Sequence, residues 1–194
     1  MGKEGAAVNT HLKTGEETTV ASGEDLCNAH VGFDRMDGRY LFIQQNRGQR
    51  MGPNGRIETT DPTLGATLFV VSRDGRERIE LPIARPLFTG SITGHEAWIK
   101  GQPEILYSAG GSINPDPNDK RKGNVFVIRL GEKAPRLIID DPITHGHVST
   151  SACGRFWVND RWDPQGIYIA VGSIQTGRWR NLCQVGSRIL KDEI

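Results

Sequence analysis

An internal repeat constrains this chain more than any other feature of its sequence. Short β-branched and aromatic runs, each closed by turn residues, return three times in one order. The first unit runs from His30-Val31-Gly32-Phe33 through Asp37-Gly38-Arg39-Tyr40-Leu41-Phe42 to Thr67-Leu68-Phe69-Val70-Val71 and the turn Asp74-Gly75-Arg76. The second begins at His95-Glu96-Ala97-Trp98, continues through Glu104-Ile105-Leu106-Tyr107 to Asn124-Val125-Phe126-Val127-Ile128, and turns at Gly131-Glu132. The third begins at His147-Val148-Ser149-Thr150, continues through Cys153-Gly154-Arg155-Phe156-Trp157 to Gly166-Ile167-Tyr168-Ile169-Ala170, and turns at Thr176-Gly177-Arg178. Each unit reads strand, glycine turn, strand, variable loop, strand, tight turn, strand. That is a four-stranded antiparallel meander, the pattern of a propeller blade.

The expected fold is therefore all-β, with no window of helical periodicity that escapes Gly or Pro. The high count of 24 glycines among 194 residues suits a chain of many turns. Leu12-Lys13-Thr14-Gly15-Glu16-Glu17-Thr18-Thr19-Val20 mirrors Ile174-Gln175-Thr176-Gly177-Arg178-Trp179-Arg180 and is expected to be the last hairpin of another blade. Residues 1–194 then form one partial propeller domain: 1–25 the end of a truncated blade, and 28–83, 94–140 and 145–187 a blade each. Closed propellers take roughly four to eight blades. The expectation is a fragment of a longer ring, or a ring completed by another chain through exposed blade edges.

Charge narrows the partners. With 24 Lys+Arg against 23 Asp+Glu, the net charge of +1 supplies no bulk attraction for nucleic acid or anionic lipid. No run approaches the roughly 18 to 20 apolar residues of a membrane span. The segment Met1 to Val20 lacks the apolar core of a secretory signal, so a cytoplasmic location is expected. Cys27, Cys153 and Cys183 have neither disulfide-framework nor zinc-ribbon spacing.

Of the five histidines, His30, His95 and His147 open successive repeats, and His145 lies two residues before His147. The first strand of each blade lines the central channel, and residues i and i+2 of a strand share a face. His95, His145 and His147 are thus expected to converge. Three imidazoles suit Mn, Zn, Fe, Ni or Cu with positions left open for water and substrate. The same placement suits rings that only hydrogen-bond across a hydrated channel. Glu96 alternates away from His95 and is read as an inter-blade hydrogen-bonding group, while Asp140-Asp141-Pro142 reads as a turn. Gln44 to Arg50 is read as a loop suited to sugar hydroxyls and carboxylates or simply solvated, and Asp160-Arg161-Trp162-Asp163 as the equivalent loop later in the repeat, with Trp162 as a stacking platform or a core residue. Asn114 to Lys122 is read as a polar insertion.

Taken together, Thr93-Gly94-His95-Glu96-Ala97-Trp98, Gly123-Asn124-Val125-Phe126-Val127 and His145-Gly146-His147-Val148-Ser149-Thr150 through Phe156 resemble the oligogalacturonate lyase-like members of the Tol-Pal-type propellers. The resemblance covers residues 28 to 187. It implies a seven-bladed ring with a divalent metal, typically manganese, in the channel, and cleavage of uronate-containing pectic oligosaccharides by β-elimination. It places the metal on His95, His145 and His147, a channel histidine at His30 and an arginine base at Arg47. The family's glutamine ligand falls on Pro142. The alternative reading is a non-catalytic propeller that binds a sugar, a peptide or a protein partner.

Overall fold

The computed structural model describes residues 4–61, 63–84, 92–109, 124–141 and 143–185. The fold is all-β and built from three four-stranded antiparallel sheets. The first comprises β3 (Val31–Phe33), β4 (Tyr40–Gln45), β7 (Thr67–Ser72) and β8 (Arg78–Glu80) in that order. Between β4 and β7 the chain makes a small ribbon of β5 (Gln49–Met51) and β6 (Ile57–Thr59). The second sheet is β9 (Ile92–Trp98), β10 (Glu104–Ala109), β11 (Asn124–Arg129) and β12 (Arg136–Ile139). The third is β13 (Thr144–Thr150), β14 (Phe156–Asp163), β15 (Gly166–Ser173) and β16 (Trp179–Val185). Ahead of them lies a hairpin of β1 (Gly5–Thr10) and β2 (Glu17–Gly23). Its turn spans 11–16, so the stretch Leu12 to Val20 supplies the turn and the second strand only. No closed ring is formed by the described residues, and none of their elements is a helix able to cross a membrane.

The middle strands of the first two sheets carry unbroken apolar runs, Leu41 to Ile43, Leu68 to Val71, Ile105 to Tyr107 and Val125 to Ile128, because both of their faces are covered. Leu41, Ile43, Phe69 and Val71 face the hairpin and pack on Ala7, Val20 and Leu26. Phe42, Leu68 and Val70 turn the other way and meet Ile105, Tyr107, Phe126 and Ile128 of the second sheet. Leu106, Val125 and Val127 then pack on Trp157 and Ala170 of the third sheet. The order in space is hairpin, first, second and third sheet, the face-to-face stacking of propeller blades. A Cβ on Gly172 would sit 2.4 Å from the Trp157 ring, so glycine there lets the indole lie flat on the neighbouring strand.

Hydrogen bonds tie the first strands of the three sheets at their C-terminal ends. The Trp98 indole N–H donates to the Gly32 carbonyl (2.7 Å), and the Thr150 hydroxyl donates to the Trp98 carbonyl (2.7 Å). The Arg35 guanidinium donates to both the carbonyl and the hydroxyl of Thr150 at 3.1 and 3.0 Å. These ties fix the relative heights of β3, β9 and β13. The histidines, one just before β3 and the others midway along β9 and β13, are thereby held at one level.

Candidate functional site

Three imidazoles stand side by side along the first strands, His95 and His147 at mid-strand rather than at the strand starts expected from the repeat. The His95 ring centroid lies 3.8 Å from that of His147 and 5.5 Å from that of His30. Each ring comes from a different sheet: His30 just precedes β3, with its carbonyl accepting from the Gln44 amide, His95 is on β9, and His147 is on β13. The row is therefore a product of the repeat, which sets a histidine at the same level in successive sheets.

A carboxylate closes each end. Asp160 Oδ2 lies 3.0 Å from His147 Nδ1, Asp160 Oδ1 accepts from the His147 amide, and the Trp162 indole N–H donates to Oδ2 at 2.8 Å. An anionic carboxylate beside Nδ1 holds the proton on that nitrogen and leaves Nε2 as the free acceptor of a half-open ring. Burial pushes the Asp160 carboxyl up, but the Trp162 indole, the His147 ring and the His147 amide outweigh it and hold it below its usual value. At the other end Glu96 Oε1 lies 3.5 Å from His30 Nδ1, across the boundary between the first two sheets. The Glu96 side chain is 1% exposed and its Oε2 has no hydrogen-bond partner. Burial raises its carboxyl to about 7. Between the carboxylates, burial and then the neighbouring His147 and His30 hold His95 below the usual imidazole value, which keeps it neutral.

His145 is placed elsewhere. In the pairing of β13 with β14, His145 is opposite Arg161 and Val148 is opposite Asn159, so three steps on one strand match two on the other. This bulge adds one residue between the histidines and breaks the i, i+2 rule on which their shared face was expected. His147 turns to the face of Asp160 and Trp162, where its side chain is 66% exposed. His145 stays on the face of Asn159 and Arg161, fully buried. Its Nδ1 accepts from the Asn159 amide at 2.6 Å, its Nε2 lies 3.5 Å from Asp141 Oδ2, and the Trp179 ring meets it edge to face. Burial lowers its pKa against the opposing pull of Asp141. Arg161 completes this interior group by pairing with Asp163 at 2.6 Å and Asp141 at 3.5 Å.

Arg47 lies apart from the row. Its Nε donates to the Gly65 carbonyl at 3.0 Å, and it lines a cavity of about 370 Å³ with Gln49, Thr59, Asp61 and Leu64. Burial lowers its pKa. The segment Asp160 to Asp163, expected as a loop, is the second half of β14; strand pairing with β15 continues through Asp163. Gln44 and Gln45 likewise end β4, and Gln49 and Arg50 belong to β5. Trp162 is 41% exposed with its indole nitrogen committed to Asp160. Pro142 and the insertion from Asn114 to Lys122 lie outside the described residues. Among the described residues no group of three or more His, Cys, Asp or Glu side chains is arranged to hold a metal ion. The expected set of His95, His145 and His147 is not brought to one point. Glu96 faces the neighbouring sheet as alternation implies, whereas Asp160, expected in a loop, holds His147 from within β14. Alternation along β14 placed Asp160 only once the register was known.

The class defined by this fold and site is a propeller-like all-β protein with a carboxylate-bracketed histidine row across its first strands. No family model matches the sequence, and no curated protein is significantly similar to it. Solved structures share its fold. An oligogalacturonate lyase in complex with manganese aligns at 16% identity and a TM-score of 0.62, over 90% of this chain and 41% of that one. A chain of a nidogen/laminin complex aligns at 12% and 0.59, over 89% and 54%. TolB from Acinetobacter baumannii aligns at 12% and 0.57, over 93% and 41%. Such identities establish the propeller-like fold and nothing finer. The present chain spans about half or less of the length of each of these.

Proposed function

We propose that this chain is a non-catalytic propeller-type binding module whose histidine row receives a polar ligand, an oligosaccharide being the first choice. The observation that carries this reading is the pair of ends: Glu96 at 3.5 Å from His30 and Asp160 at 3.0 Å from His147, with neutral His95 between them. Such a row offers alternating donors and acceptors at fixed height, which suits vicinal hydroxyls better than a single point charge. Half-exposed Trp162 beside it supplies an apolar face for a sugar ring. Calorimetric titration with trigalacturonate and with a neutral trisaccharide tests the reading. Binding lost in His147→Ala supports it, whereas heat that is identical in the variant refutes the site.

The second reading is a metal-dependent lyase acting on uronate oligosaccharides by β-elimination within a seven-bladed ring. The fold shared with a manganese-bound oligogalacturonate lyase favours it. With His145 turned inward, the expected ligand set does not fit a shared ion, and no step is derived through one. Elemental analysis of the purified chain and of a His145→Ala/His147→Ala double variant separates the readings. Stoichiometric manganese in the first and none in the second, together with ultraviolet absorbance of an unsaturated product, would favour the lyase.

A further inference from the structure

The interior between the first and second sheets holds two oxygen atoms that the fold leaves unsatisfied, and strand register places them on facing surfaces. Phe42 of β4 packs on Trp98 of β9 with ring centroids 6.0 Å apart, and Trp98 donates to the carbonyl of Gly32, which is opposite Phe42. Two residues further on each strand, toward the same end and on the same faces, lie Gln44, Glu96 and His30. The Gln44 amide donates to the His30 carbonyl, and Glu96 Oε1 lies 3.5 Å from His30 Nδ1. Ser108 follows Leu106 on β10 as Gln44 follows Phe42 on β4, and its hydroxyl reaches the Gly146 carbonyl of the next sheet at 2.8 Å. A side chain at the Gln44 position thus reaches the first strand of the following sheet.

Both side chains are sealed from solvent, Glu96 at 1% exposure and Gln44 at 4%. Gln44 Nε2 donates to Asn46 Oδ1 at 2.6 Å, which fixes the carboxamide. Gln44 Oε1 and Glu96 Oε2 are left without a hydrogen-bond partner. These oxygens and an imidazole nitrogen all offer lone pairs, and a carboxylate buried among them needs a proton or a cation to neutralise it. The 3.5 Å between His30 Nδ1 and Glu96 Oε1 is longer than a hydrogen bond. It is near the ~3.4 Å that separates two ligands each about 2.1 Å from one tetrahedral ion.

We propose that His30 Nδ1, the Glu96 carboxylate and Gln44 Oε1 hold a divalent cation of the zinc class between the first two sheets. One imidazole, one carboxylate and one carboxamide form a mixed nitrogen and oxygen set, which suits a borderline ion and offers too few oxygens for calcium. The set shares no residue with His95, His145 and His147. It lies between two complete four-stranded sheets, and an ion there joins β3, β4 and β9 and pins the buried end of the histidine row. The inference goes beyond the oligosaccharide reading, whose open end is at His147.

Calorimetric titration of the chelator-treated full chain with Zn²⁺ and with Ca²⁺ tests this, and the absorption of a Co²⁺-loaded sample reports the ligand set. The wild type should take up one equivalent of Zn²⁺ with a rise in its thermal unfolding midpoint, and give no binding heat with Ca²⁺. Glu96→Gln keeps the side-chain shape and should weaken Zn²⁺ binding roughly a hundredfold. His30→Ala, at a partly exposed ring, should do the same and change the Co²⁺ spectrum, which keeps the test alive if Glu96→Gln does not fold. His147→Ala should bind Zn²⁺ as the wild type does while losing the oligosaccharide, so the two readings fail separately. A folded wild type that binds no Zn²⁺, or prefers Ca²⁺, would overturn the proposal. So would binding that survives both Glu96→Gln and His30→Ala, or that is lost in His147→Ala, since either outcome puts the ion elsewhere.

Discussion

His145 and His147 are two residues apart on the same strand, yet they belong to different regions with different chemistry. His147 projects into an open row, where Asp160 fixes its proton and leaves Nε2 free. His145 is sealed beneath Trp179 among Asp141, Asn159 and Arg161. The bulge between His145 and Val148 makes the difference. The comparison teaches that one side chain type serves recognition when a strand irregularity turns it outward, and cohesion when regular pairing keeps it inside.

The sharpest way to break the comparison is to remove each ring in turn. His145→Ala should cost about 3 kcal/mol, because it empties a fully buried site and strands the Asn159 and Asp141 groups around it. His147→Ala should change stability by no more than about 0.5 kcal/mol, as an exposed side chain away from the core. Urea denaturation of both variants measures the contrast, and equal losses would erase it.

Glu96 yields the next largest effect. Its carboxyl rises from 4.5 to about 7 in the fold, so the folded state holds a proton that the unfolded chain has released. The resulting stabilisation is complete below about pH 4.5 and is lost as pH climbs through about 7, to a total of roughly 3 kcal/mol. Glu96→Gln should abolish this part of the slope between pH 5 and pH 8, making the variant the more stable protein at the alkaline end. An unchanged slope would remove Glu96 from the buried end of the row.

Smaller effects sharpen the open region alone. A Cβ on Gly146 would meet Asp160 Oδ1 at 2.5 Å, so Gly146→Ala must push the carboxylate off His147. Asp160→Asn removes its charge without that push. Each variant should weaken ligand binding about tenfold, near 1.4 kcal/mol, while unfolding midpoints shift little. Amide nitrogen and imidazole NMR reports the lost preference for the Nδ1 proton, which a purely structural role for Asp160 would leave intact.

Much of the architecture was legible because its cause is local. Leu68-Phe69-Val70-Val71 and Val125-Phe126-Val127-Ile128 are apolar without alternation, and only strands covered on both faces tolerate that. The histidine row was legible for a related reason: a repeat that returns His30, His95 and His147 to one register must place them side by side in stacked sheets. The segment Asp160 to Asp163, expected as a loop by its place in the repeat, is strand instead, because pairing with Ile169 through Gly166 keeps it in β14. The Glu96 contact followed from alternation, which sent it away from His95 and toward the neighbouring sheet.

By itself the sequence determined the three four-stranded meanders and the level of the histidines, since these follow from side-chain period and turn chemistry along a few neighbouring residues. Only the tertiary structure decided which histidines share a face. That choice rests on one extra residue in the register of β13 against β14, and on Asp160, Asn159 and Trp162 arriving from the partner strand to hold each ring where it lies.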